Sequence, residues 1–182
     1  MSPTYLSVDE FQRLFTEFEH TAFRLEVRDR YNVDDEIEEV RRFHAGEPDN
    51  PTSGKYWMDN IRKVAEAGML FERVRVVSLP LTDYSRFGLW SCQDNIAAGE
   101  DIRYLTRDAA QGVDLPSHDY WLFDSRKLVR MHFDEDDRPL QHEVITDPET
   151  IVQHNYWRDV AWHYAVQRDD FAKEHEPSLQ RP

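Results

Sequence analysis

Residues 118–145, HDYWLFDSRKLVRMHFDEDDRPLQHEVI, restrict the fold more than any other stretch of the chain. Tyr120, Trp121, Leu122 and Phe123 follow one another without a break, so a strand built from them has no polar face and must lie inside a sheet covered on both sides. Lys127 to Phe133 and Leu140 to Ile145 alternate apolar with polar residues, and the acidic DEDDRP between them turns the chain into an antiparallel hairpin. The remaining sequence has to supply the covering layers.

It carries the signals for them. Ser7-Val8-Asp9-Glu10 is a capping box, and it opens a helix in which Phe11, Leu14, Phe15 and Phe18 recur at helical spacing. Residues 22–31, AFRLEVRDRY, alternate Phe23, Leu25 and Val27 with charged neighbours and are predicted as a half-buried strand. Residues 34–44 give a short exposed helix. The breaker-rich segment 46–54 is a loop, either an ordinary connector or a hinge or lid. Tyr56, Trp57, Ile61, Val64 and Ala65 mark a helix stopped at Gly68, and a buried strand from Arg73 to Val77 follows at once. Pro80 closes that strand. A helix capped by Asp83 occupies residues 81–100, weakened at Gly88, and residues 101–106 form another strand. Asp147-Pro148-Glu149 starts the last helix, with Ile151, Val152, Tyr156, Val160, His163 and Tyr164 as its buried face. The expected architecture is α/β or α+β: a single layered domain over residues 1–166, with a mixed central sheet flanked by helices. Residues 167–182 are expected to be a polar, flexible tail.

The charge balance bears on partners. The chain has 36 acidic and 22 basic side chains, and the resulting net charge of -14 repels polyanions. Direct nucleic acid binding is therefore not expected, whereas encounter with a basic protein is favoured. Arg24, Arg28, Arg30, Arg73 and Arg75 are read as solvated side chains on the sheet rather than as a basic patch. Cys92 is the one cysteine, which excludes an internal disulfide, and it is read as a small helical residue. No apolar run is long enough for a bilayer and the amino terminus lacks a secretory pattern, so a cytoplasmic location without membrane contact is expected.

Three histidines in residues 118–145 carry what chemistry the sequence offers. In a hairpin centred on Asp137, His132 would stand opposite His142, with Asp134 on the same strand face as His132. Two imidazoles and a carboxylate suit a divalent transition metal, zinc or non-haem iron, and the alternative is an ordinary surface pair without cofactor. His154 and His163 lie on different faces of their helix and do not chelate. The run Asp134 to Asp137 is read as a solvated turn in preference to a calcium loop. No nucleophile elbow, phosphate loop or dinucleotide fingerprint occurs.

The strings RVRVVSLPLTDYSRF, NIAAGEDIRYL, HDYWLFDSRKLVRMHFD and YWRDVAWHYAV resemble an uncharacterised actinobacterial family whose members are typically encoded beside small helix-turn-helix regulators. That resemblance spans about residues 5–166 and implies relatives without implying an activity. NIRKVAEAGMLFERVRVV, followed by His118, resembles the phospholipase D-like fold and its motif His-x-Lys-x-x-x-x-Asp. This implies His118 in the histidine position and Asp124 one place before the aspartate. Tyr120 replaces the lysine and Ser125 the aspartate, so the resemblance implies a degenerate, catalytically dead copy.

The expected function is thus a non-catalytic regulatory or accessory protein in contact with a partner such as a helix-turn-helix regulator. Self-association as a homodimer is a further expectation. The alternative is an enzyme, or a small-molecule or metal sensor, with a site at His118, His132 and His142 and with Asp124 as the second group in a phospholipase-like reading.

Overall fold

At Ser7 the capping box forms as its residues predict: the Glu10 amide donates to the Ser7 hydroxyl at 3.3 Å, and the Ser7 amide to the Glu10 carboxylate at 2.8 Å. The computed structural model describes residues 3–47, 50 and 54–179. In chain order the elements are β1 (Thr4–Leu6), α1 (Val8–Glu17), β2 (Thr21–Glu26), α2 (Ile37–Ala45), α3 (Lys55–Glu66), β3 (Leu70–Val77), α4 (Asp83–Ala98) and β4 (Asp101–Thr106). They continue through α5 (Arg107–Gly112), β5 (Tyr120–Phe123), β6 (Lys127–Phe133), β7 (Pro139–Ile145), α6 (Pro148–Tyr164), β8 (Val166–Gln167) and α7 (Arg168–His175). The cap of α4 is the Thr82 hydroxyl, which accepts from the Ser85 amide, and not Asp83. The hinge or lid considered for the 46–54 segment falls on residues 48, 49 and 51–53, which lie outside the described residues.

The strands form one eight-stranded mixed sheet in the order β1-β7-β6-β5-β2-β3-β4-β8. β2, β3 and β4 are parallel, as strands joined through the helical crossovers α3 and α4 can be, while every other neighbour is antiparallel. The chain moves outward from β2 to β4 and then returns to the other side of β2 with β5. The direction of winding thus reverses beside β2, where the carboxyl ends of the parallel strands meet the amino end of β5.

All four residues of β5 are buried, as their unbroken apolar run requires. Tyr120 and Leu122 join Phe23, Leu25, Val74, Val76, Leu105 and Leu128 against Ala161 and Ala165 at the α6 side. Trp121 and Phe123 point the other way, with Phe71 and Val129, toward Leu14, Phe18, Ile61 and Val64 of the α1–α3 layer. On that second face, near β4, Ile102 and Tyr104 pack on Leu89 and Cys92 of α4 and on Phe171 and Ala172 of α7. Cys92 is buried in its helix, as expected of a small helical residue. Among the described residues no helix is long and apolar enough to cross a membrane.

Two expectations are corrected here. The segment after Gln167 is folded through Leu179: Phe171 is 1% exposed, and the buried Arg168 guanidinium donates to the carbonyls of Leu89 (2.9 Å) and Leu179 (2.6 Å). Phe171 and Ala172 are adjacent, so they produce no helical period, and a buried arginine resembles an exposed one in sequence. In α6, the residues expected inside are largely outside, with Val152, Tyr156 and Tyr164 exposed at 68%, 60% and 52%. The helix is apolar on both sides, so periodicity does not choose between them. The inner side is the one that brings the small Ala161 against the strands and gives His154 its hydrogen bonds.

Candidate functional site

Side chains of opposite charge and several imidazoles gather where the winding reverses, one cluster on each face of the sheet. On the α1–α3 face, strand alternation and register place Arg24 and Glu26 of β2 beside Arg73 and Arg75 of β3. Glu26 is 8% exposed and pairs with Arg73 at 2.6 Å, Arg75 at 2.6 Å and Arg24 at 3.6 Å. Burial opposes its ionisation, but the arginine charges outweigh burial and hold the carboxyl at about 2. Arg73 also reaches Glu100 at 2.7 Å and Arg24 reaches Asp119 at 2.9 Å, which balances each arginine of the group with a carboxylate. Asp119 accepts further from the Tyr31 hydroxyl (2.6 Å) and the Val27 amide (3.1 Å), although burial pushes its carboxyl above the ordinary range.

Toward solvent, Arg107 bridges Asp29 at 3.1 Å and the Ser78 hydroxyl at 2.8 Å, and Asp137 receives both Arg28 and Arg30. Of the arginines expected to be solvated, Arg28 and Arg30 keep part of their side chains in solvent. Arg24 and Arg73, at 5% and 9% exposure, are buried instead, because their neighbours on the adjacent strands complete an internal ion network. The charged alternation of AFRLEVRDRY beside RVRVV was the available sign of it.

On the α6 face, His118 precedes β5 and its Nε2 lies 2.9 Å from Nε2 of the buried His154. The Nδ1 of His154 is 2.7 Å from the Thr150 carbonyl and donates to it. Trp157 closes over both rings edge-on, at 6.0 and 4.8 Å between centroids. Burial first, then the neighbouring Arg130, His154 and His132, pull the His118 imidazole down to about 4. The antiparallel register, with Tyr120 opposite Arg130 and the Met131 amide bonded to the Asp119 carbonyl, continues so as to set His118 alongside His132.

The proposed metal set does not form. His132 stands opposite Gln141 and His142 opposite Met131, because the turn is centred on Asp136, with Phe133 opposite Pro139, and the register shift between His132 and Phe133 makes up only part of the difference from a turn centred on Asp137. The two imidazoles therefore leave opposite faces. His132 bonds Glu143 at 2.8 Å, and His142 stacks on Phe11 of α1 with 3.9 Å between centroids. Asp134 accepts from the amides of Asp136 and Arg138, both at 2.9 Å, and so shapes the turn. Among the described residues no group of three or more His, Cys, Asp or Glu side chains could hold a metal ion. Asp124 is equally removed from His118: it follows the far end of β5 and accepts from the amides of Glu19, His20 and Thr21 at 3.0, 2.7 and 3.1 Å. The sequence singled out His118; its partners His154 and Arg130 went unrecognised, since the register that joins them was not legible.

The His118 environment has a measurable pH signature. A base whose folded value is depressed stabilises the fold while neutral in both states, above about 6.5, and that contribution is lost as pH falls toward 4. Urea unfolding between pH 7.5 and 4 should therefore show a decline that His118→Gln flattens by on the order of 2 kcal/mol, after allowance for solvent screening. Equal declines in both proteins would assign the effect elsewhere.

The family model for a domain of unknown function, DUF6879, matches residues 9–173. The chain belongs to the DUF6879 family. A search of curated proteins gives no match. The DUF6879 match runs from α1 into α7, and so includes both side-chain clusters and the helix that replaces the expected tail.

Proposed function

We propose that the chain is a non-catalytic accessory protein that binds a basic protein partner, of the helix-turn-helix regulator kind, along the outer side of α6. The observation that carries this is the outward row of exposed Val152, Tyr156 and Tyr164 with half-buried Val160 between them, each four residues from the next and so on one ridge of the helix. Exposed tyrosines and aliphatics in a continuous row are what a helix or groove of another protein can cover. Exposed Glu149 and Asp159 flank the row, and the net charge of -14 favours a basic partner and disfavours a second copy of the same chain. The phospholipase D-like resemblance is kept as one of shape without catalysis: the would-be lysine is the buried Tyr120, and Asp124 is engaged by backbone amides.

The test is co-elution in size exclusion at micromolar concentration and low salt, with a helix-turn-helix regulator encoded beside the gene. The wild-type chain should co-elute. Val152→Asp combined with Tyr156→Asp, both solvent-facing, should keep the fold and weaken binding by about 30-fold or more. Absence of a complex, or a complex indifferent to both substitutions, would remove this function.

A further inference from the structure

We propose that His118, Arg130 and His154 form a binding site for a hydrogen phosphate group, free or as a monoester, beneath the inner side of α6. The site does not rest on the partner reading, since His154 and Trp157 face the sheet whereas Val152 and Tyr156 face away from it. Its first element is an uncompensated cation. Arg130 lies opposite Glu143 on β7, yet Glu143 takes His132 instead, and the buried Nε of Arg130 has no hydrogen-bond partner. No ion pair involves Arg130 among the described residues, in a chain where carboxylates outnumber cations 36 to 22. A guanidinium left this way loses the stabilisation that an acceptor oxygen would give it.

The second element is a fixed acceptor. His154 carries its hydrogen on Nδ1, because the Thr150 carbonyl at 2.7 Å can only accept. Its Nε2 is then a lone pair, and the Nε2 of His118, at 2.9 Å, has to be the donor. The Nδ1 of His118 is left as a lone pair with no partner among the described residues, on the same face of the β5–β6 pair as Arg130. The site therefore presents a donor, Arg130, and an acceptor, His118, side by side. Carboxylate and sulfate bring acceptor oxygens only. A hydrogen phosphate brings P–O⁻ for the guanidinium and P–O–H for the imidazole, and so satisfies both. His132 and Glu143, bonded to each other, border the site, and Tyr120 and Trp157 form its apolar walls.

The experiment is calorimetric titration of the full chain at pH 6.5 and fixed ionic strength with inorganic phosphate, methyl phosphate and sulfate. Saturable 1:1 binding of a phosphate is expected, at about 1 mM or tighter, with sulfate at least about tenfold weaker. Whichever of the two phosphates binds more tightly identifies the source. Arg130→Met should weaken phosphate binding by about tenfold or more. As a readout that needs no variant, imidazole nitrogen NMR of the wild-type chain should show His118 Nδ1 unprotonated without phosphate and shifted as a hydrogen-bond acceptor with it. Equal affinity for sulfate and phosphate, no binding of either, or an unmoved His118 Nδ1 resonance would overturn the assignment.

Discussion

Glu26→Ala is expected to lower the stability of the fold by about 3–5 kcal/mol, the largest effect of any single charged residue in the chain. Its carboxylate is the anion common to Arg24, Arg73 and Arg75, with Arg73 and Arg75 each 2.6 Å away. Removing it leaves Arg75, whose side chain is only 19% exposed, with its bonds to the Gly88 carbonyl at 2.9 Å and the Tyr104 hydroxyl at 3.4 Å and no carboxylate within the network. Glu26→Gln separates charge from shape, because the amide keeps the volume and one acceptor oxygen while turning the other into a donor that faces an arginine. It should cost less than the alanine substitution but remain clearly destabilising. Urea unfolding at pH 7 measures both, and a loss below about 1 kcal/mol for the alanine variant would show that the arginines find solvent or other anions.

Phe171→Ala should cost about 3–5 kcal/mol, as deletion of a fully buried aromatic side chain does. The ring is 1% exposed, stacks on Tyr104 with 5.0 Å between centroids and touches His175 at 4.5 Å. Its loss would open a cavity beneath β4 and loosen α7, so Tyr104 should also become reactive or fluorescent in a way the wild type does not show. A flexible segment would respond to the same substitution with almost no change in midpoint. Thermal and urea denaturation of the two proteins distinguish these outcomes directly.

Where a local signal and a tertiary requirement agreed, the sequence was a reliable guide. The capping box at Ser7, the interior position of Tyr120 to Phe123 and the β6–β7 hairpin all follow from residues within one element or one turn. What failed depended on a partner far away in the chain. The face chosen by α6 depends on His118 and on the strands below it, since Val152 and Tyr156 are as apolar as the residues that went inside. The His132–His142 pairing failed by a single residue, because the turn is centred on Asp136 rather than Asp137 and a bulge follows it, neither of which an alternation pattern reports. The buried arginines were legible only as a coincidence of two charged strands, and their neighbour relation required knowing that β2 and β3 are parallel and in register.

The two outermost strands have a consequence for how this molecule can associate. β1 is three residues long and β8 two, and each covers one side of the sheet that would otherwise expose a longer strand, β7 or β4. Strands this short make poor templates for backbone pairing with another chain. Growth by strand addition, whether into a continuous intermolecular sheet or into an aggregate, is thereby disfavoured at both margins, and recognition is left to side chains on the helical layers.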